Sequence, residues 1–105
     1  MEILKQLYKI SSKSGVEDRI KSFVLGCVSD VDLKVDTDDI GNLFITKGIA
    51  DTYPCVAAHL DEIHDPCERE IVIEDDKIFT VNRLWNRAGC GADDKNGLWV
   101  IINLL

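Results

Sequence analysis

The chain is short of positive charge, of long apolar runs and of paired cysteines, and each shortage narrows what it does. Lysine and arginine number 12 against 19 aspartates and glutamates, a formal net charge of −7. Nucleic-acid binders concentrate positive charge to neutralise phosphate, so this balance argues against nucleic acid and against an anionic membrane surface. The surplus carboxylates either keep a surface soluble or collect divalent cations. No apolar run approaches the roughly 20 residues of a spanning helix. The opening Met1-Glu2-Ile3-Leu4-Lys5-Gln6 lacks the basic start and apolar stretch of a secretory signal. Cys27, Cys55, Cys67 and Cys90 include no C-x-x-C pair. Cys27 and Cys55 sit in apolar sequence, which favours reduced thiols in a cytoplasmic core over a disulfide framework. What remains is ordinary globular composition, 46% hydrophobic and 30% charged over 105 residues, enough for one domain with a small core.

Apolar residues at Ile3, Leu4, Leu7, Tyr8 and Ile10 have helical spacing and predict a first helix over 2–10. Ser11 to Gly15 interrupt it. Ser14 precedes Glu17 by three positions, the S-x-x-E pattern of a capping box. It predicts a second helix with Ile20, Phe23, Val24, Cys27 and Val28 on one face, fraying near Ser29 and Asp30. Leu33, Val35 and Thr37 alternate with polar residues and read as a strand. A turn over 38–42 leads to a second strand over 43–46. Residues 53–58, Tyr-Pro-Cys-Val-Ala-Ala, form a nearly continuous apolar run, the pattern of an interior strand covered on both faces. The stretch 61–69 is polar, contains Pro66 and reads as loop. Ile71-Val72-Ile73 and Ile78-Phe79-Thr80-Val81 predict a hairpin, and 82–91 reads as irregular. From Lys95 to Leu105 almost everything is apolar, with Leu98, Trp99, Val100, Ile101, Ile102, Leu104 and Leu105, so this segment is expected to be a central helix or a strand covered on every side. The element order predicts an α/β domain with a mixed sheet and flanking helices. A helix that is apolar all round and reaches Leu105 without a C-cap or a following layer predicts an N-terminal piece, 1–105, of a longer chain.

Two stretches carry chemistry. His59-Leu60-Asp61 places an imidazole and a carboxylate at i and i+2, on one side of an extended segment. The histidine is then a candidate metal ligand, with the carboxylate orienting its ring and raising its basicity. The end of an apolar strand is also where α/β sheets place their sites. The bland alternative is a histidine leaving a strand into solvent, loosely paired with Asp61. Gly91-Ala92-Asp93-Asp94-Lys95-Asn96-Gly97 sets two adjacent carboxylates at a helix start, where the dipole favours negative charge. The bland alternative is a plain Asp N-cap. Two neighbouring carboxylates repel, however, and favour a cation beside them, with Asp94 able to bridge two ions through its two oxygens.

Other motifs fail. Gly89-Cys90-Gly91 lacks the G-K-[S/T] ending of a phosphate loop, and Asp93 and Asp94 would repel phosphate. Asp36-x-Asp38 with Gly41 opens like a calcium loop but has Ile40 at its fifth position and Lys47 at its twelfth. His59, His64 and Cys67 have an unusual spacing for structural zinc and no evident fourth ligand. No serine or cysteine stands beside a histidine in a nucleophile pattern.

The stretches Ala58-His59-Leu60-Asp61-Glu62-Ile63 and Gly91-Ala92-Asp93-Asp94-Lys95-Asn96-Gly97 resemble the first two metal-site motifs of the co-catalytic dizinc exopeptidases. That group includes the peptidase T-like tripeptidases, the carboxypeptidase/aminoacylase family and the tetrahedral aminopeptidases. Residues 10–17, Ile-Ser-Ser-Lys-Ser-Gly-Val-Glu, resemble the junction between their first helices, and Asp39-Ile40-Gly41-Asn42-Leu43 resembles their D-x-x-G-N-L turn. The four matches run in order across residues 10–97.

The resemblance implies a zinc-exopeptidase-like fold and a role for each matching residue. His59 would ligate one of two divalent ions, most simply zinc. Asp61 would orient His59, Asp94 would bridge both ions, and Asp93 would be a neighbour in the turn without being a ligand. A water between the ions would attack the terminal peptide bond of a small peptide. The departure is large: the family's general-base Glu-Glu pair and its later carboxylate and histidine ligands are absent from these 105 residues. His64 matches no family ligand and reads as a loop residue. The chain alone is therefore expected to hold zinc weakly and to lack peptidase activity. The alternatives are a non-catalytic binding or scaffold protein derived from the same fold, and an acidic α/β domain whose apolar end docks on another subunit. The apolar C-terminal segment is expected to drive self-association.

Overall fold

A computed structural model describes residues 1–29 and 32–105. Among them are three helices and two antiparallel sheets, a small mixed α/β protein. Helix α1 (Glu2–Lys9) buries Leu4, Leu7 and Tyr8, one stripe at i, i+3 and i+4. It ends where Ile10 turns extended, at φ −83° and ψ 120°.

Helix α2 (Asp18–Cys27) starts later than a Ser14 cap would place it, and no side chain caps its N-terminus. The cause is a competing use of the backbone. Ser14 N–H donates to the Glu62 carbonyl at 3.2 Å, Glu62 N–H donates to the Ser12 carbonyl at 2.9 Å, and Lys13 pairs in parallel with Glu62. With Ser14 drawn into that ladder, Gly15 takes φ +91°, and Glu17 Oε1 accepts from the Gly15 N–H at 2.6 Å. The expected face of α2 is kept: Ile20, Val24 and Val28 are buried, with Phe23 and Cys27 packed beside them. Ser29 Oγ donates to the Gly26 carbonyl at 3.0 Å; the expected fraying at Asp30 lies outside the described residues.

Strands β1 (Leu33–Thr37) and β2 (Leu43–Lys47) pair antiparallel with Val35 opposite Ile45. Asp38 closes their turn by accepting from the N–H groups of Ile40 and Asn42 and from the Asn42 side chain. The second sheet has the order β3 (Glu70–Glu74), β4 (Lys77–Val81), β5 (Arg87–Ala88). Asp75 and Asp76 both have positive φ, 49° and 62°, as a two-residue hairpin turn demands. The short strand β5 interrupts a stretch expected to be wholly irregular.

The main departure is at 53–58. This run forms no strand, and Tyr53, Cys55 and Val56 are exposed. An interior strand needs a hydrogen-bonded neighbour on each side, and no strand among the described residues pairs with it. The sheets are therefore two separate antiparallel ones where a single mixed sheet was expected. Cys55 likewise sits in solvent, against the apolar surroundings its neighbours imply.

Helix α3 (Ala92–Leu104) completes the core. Leu98 and Ile102 join Leu7, Ile20, Val24 and Val28, with Leu33, Leu43, Ile45, Ala58 and Leu60 against them. Each of the six buried aliphatic side chains of this cluster contributes about 1.5–3 kcal/mol by leaving water. Only one stripe of α3 is covered; Val100 and Leu104 on the other side are exposed. Among the described residues no helix is long and apolar enough to cross a membrane.

Candidate functional site

His59, Asp61, Glu62, Ile63, His64, Cys90, Gly91, Ala92 and Asp93 line one cleft of about 350 Å³. Its walls are the segment that follows Ala58 and the turn that enters α3. A more open depression over α2, lined by Ile10, Asp18, Arg19, Ser22 and Phe23, gathers no imidazole or thiol.

The His59 ring is gripped at both nitrogens. Nδ1 lies 2.9 Å from the Asp61 backbone oxygen and 3.2 Å from Asp61 Oδ1. Nε2 lies 3.0 Å from Asp93 Oδ1. An imidazole that faces oxygens on both sides donates from both nitrogens only as the imidazolium. Its pKa is accordingly raised, above all by the bond to Asp93, with Asp61 adding to it and partial burial opposing. A metal at Nε2 requires the lone pair that this proton occupies, so metal binding competes with the Asp93 pair.

The turn assigns a task to nearly every residue. Gly91 has φ +68°, and a Cβ there would overlap the Glu62 carboxylate. Asp93 reaches out to His59. The Asp93–Asp94 peptide bond is cis. Asp94 is not in the lining of the cleft: its Oδ1 accepts from the Gly97 N–H at 3.2 Å, and a Cβ at Gly97 would overlap its carboxylate. Asn96 Oδ1 accepts from the Tyr8 hydroxyl at 2.5 Å. Thus the structure brings together His59, Asp61 and Asp93, while Asp94 is half-buried and outside the lining of the cleft. His64 packs its ring against Gly89, where a Cβ would collide with it.

Sequence reasoning missed the ionic cluster beneath the cleft. Glu62, Arg69 and Lys95 are each at most 2% exposed. Lys95 Nζ donates to Glu62 Oε2 at 2.7 Å and to the Ile10 carbonyl. Arg69 pairs with Glu62 through Nη2, and its Nη1 donates to the Tyr8 carbonyl at 3.0 Å. Two cations thereby cap the end of α1, where carbonyls lack helical partners. Arg69 Nε is buried with no partner. Burial first, and the Arg69 charge second, pull Lys95 down to about 7. One signal for this was available: Lys95, Leu98 and Ile102 fall at i, i+3 and i+7, on a single helix face.

An imidazole beside carboxylates is the donor chemistry of a divalent ion of the zinc type, although the 3.0 Å contact of His59 Nε2 is an ion pair with Asp93. A catalytic zinc takes three protein ligands, and among the described residues no three His, Cys, Asp or Glu side chains converge as a metal site. The residues present fit part of a centre. Comparison of the chain with protein families, with curated proteins and with solved structures found no match.

Proposed function

We propose that the chain is the N-terminal part of a co-catalytic dizinc exopeptidase, a cytoplasmic hydrolase of terminal peptide bonds in small peptides. The observation that carries this is the cleft in which His59 and Asp61 meet Gly91, Ala92 and Asp93 at the head of the acidic turn, although His59 and Asp93 lie 34 positions apart in sequence. In this reading His59 offers Nε2 as a metal ligand. Asp61 holds Nδ1 and so fixes the tautomer that leaves Nε2 free. Asp94 would be the shared carboxylate ligand that the resemblance implies; its Oδ1 is held by the Gly97 N–H, outside the lining of the cleft. Asp93 pairs with Nε2 at 3.0 Å, a contact that a metal at His59 would have to replace. When bound, two divalent ions, most simply zinc, supply Lewis-acid activation. The remaining ligands and the general base of such a centre are not among these 105 residues. Free thiols at all four cysteines suit a reducing compartment, and net charge −7 favours neither nucleic acid nor an anionic membrane.

The test is the product of the complete reading frame. It should contain a Glu-Glu pair roughly 30 to 40 residues after Leu105, then a further carboxylate and a late histidine. It should hydrolyse di- or tripeptides in a chelator-sensitive way, and His59→Ala should abolish that activity. A reading frame without those residues, or a metal-loaded product inert towards small peptides, would favour the scaffold reading. The exposed Val100 and Leu104 side of α3 supports covering by other protein in either case.

A further inference from the structure

We infer that Glu62, Lys95 and Arg69 form a positioning clamp that holds the His59 segment in register with the acidic turn. The inference rests on the metallopeptidase reading for its purpose, and on geometry for its existence.

The two walls of the cleft come from distant parts of the chain, and neither wall is part of a sheet that would fix it. The 53–58 run is unpaired, and Asp93 and Asp94 have non-helical backbone angles at the head of α3. Something else must set the distance between His59 and the turn. Glu62 follows Asp61 directly, and Lys95 follows Asp94 directly. Their side chains meet at 2.7 Å in a buried ion pair. The Glu62 backbone is fastened on both sides to residues 12–14. Lys95 and Arg69 converge on the carbonyls that end α1, and Gly91 presses its bare Cα against the Glu62 carboxylate. Three charged groups thus tie the α1 terminus, the 59–69 segment and the α3 entry to one point. A long exposed ion pair makes a loose tether. This one is dry, and Glu62 is held from two directions, so a shift of either wall breaks charge-assisted bonds with no water to replace them. Among the described residues no hydrogen bond or ion pair joins the side chains of these three to His59 or Asp94, so their effect on the site is through the backbone.

The test reads His59 itself. Ring nitrogen shifts of labelled histidine are recorded at a pH low enough to keep the imidazolium, with Asp93→Asn as the reference for a lost pair. Lys95→Met is expected to move the His59 signal to that reference. Leu98→Ala, a core truncation that leaves the clamp intact, is expected to leave it at the wild-type position. A folded Lys95→Met variant with an unmoved His59 signal overturns the clamp. Should Lys95→Met not fold, hydrogen exchange of the wild-type chain decides: the Glu62 and Lys95 amides should open as one unit, with protection within about threefold, and independent opening overturns the proposal. Cobalt titration separates the clamp from the reading it serves. If the wild type binds cobalt, Lys95→Met should weaken it by about tenfold or more. If the wild type binds none, the ring shifts alone judge the clamp, and the metallopeptidase reading is judged by the complete reading frame.

Discussion

Glu62 is the residue on which most depends, because it is one buried carboxylate between two buried cations. Glu62→Gln leaves Arg69 and Lys95 facing each other uncompensated, and a broken buried pair costs about 3–5 kcal/mol. Lys95→Met should cost less. It leaves Glu62 and Arg69 as a balanced pair and removes the repulsion between two cations, at the expense of one bond to Glu62 and one to the Ile10 carbonyl. Urea unfolding of both variants checks the order; equal losses would mean that charge balance does not set the cost. His59 supplies a pH signature. Its folded pKa is raised above the ordinary 6.5, so the stability it contributes is full below that value and fades as pH rises through the folded pKa. With half of the ring exposed, the contribution is under about 1 kcal/mol. The Asp93→Asn variant should bring the NMR titration midpoint of His59 down towards 6.5 and flatten that limb of the stability curve. The chemistry of His59 with Asp61 was legible because i and i+2 on extended chain share a side. The partnership with Asp93 was not, since it depends on how two distant segments meet. Glu62 and Arg69 were illegible for a plainer reason: in sequence they are charges in a polar loop, and only the fold buries them.

At the scale of elements, local pattern succeeded where an element is stabilised by its own face and failed where a neighbour competes. Helix α1, the hairpins and the stripe of α2 follow from periodicity and turn residues. The start of α2 does not, because Ser14 is taken by the ladder to Glu62. The 53–58 run has the composition of an interior strand, yet strand pairing is not a property of one segment. The entry of α3 gives a test of opposed effects at Gly97. Alanine is favoured in a helix over glycine by about 0.8–1.0 kcal/mol, but its Cβ would displace the flexible Asp94 carboxylate. Gly97→Ala should therefore leave thermal stability unchanged or slightly raised while weakening metal uptake. Gly91→Ala should behave differently: positive φ alone costs about 1–3 kcal/mol, and the buried Glu62 carboxylate must also move. A melting temperature below the wild type for Gly91→Ala, with Gly97→Ala at or above it, would bear this out; a destabilised Gly97→Ala would not.

For the whole molecule, the acidic surface and the uncovered apolar one act against each other. Val100, Leu104, Tyr53 and Val56 are exposed and favour association of the isolated chain, while net charge −7 opposes it. Salt screens repulsion between exposed charges, so sedimentation velocity should show association that grows with protein concentration and with salt. A clean monomer under both conditions would contradict it. The mixed α/β class was legible at this scale from element order; the split into two antiparallel sheets was not, because it turns on the one run that finds no pairing strand. The claim that joins all three scales is that His59 and the acidic turn make up part of a metal centre. Zinc calorimetry on the 105-residue chain tests it most directly, with His59→Ala and Asp94→Asn beside the wild type. The expected result is binding far weaker than the about 10–16 kcal/mol of a complete structural zinc site, and lost in both variants. Tight stoichiometric zinc, or weak binding that survives His59→Ala, would contradict it.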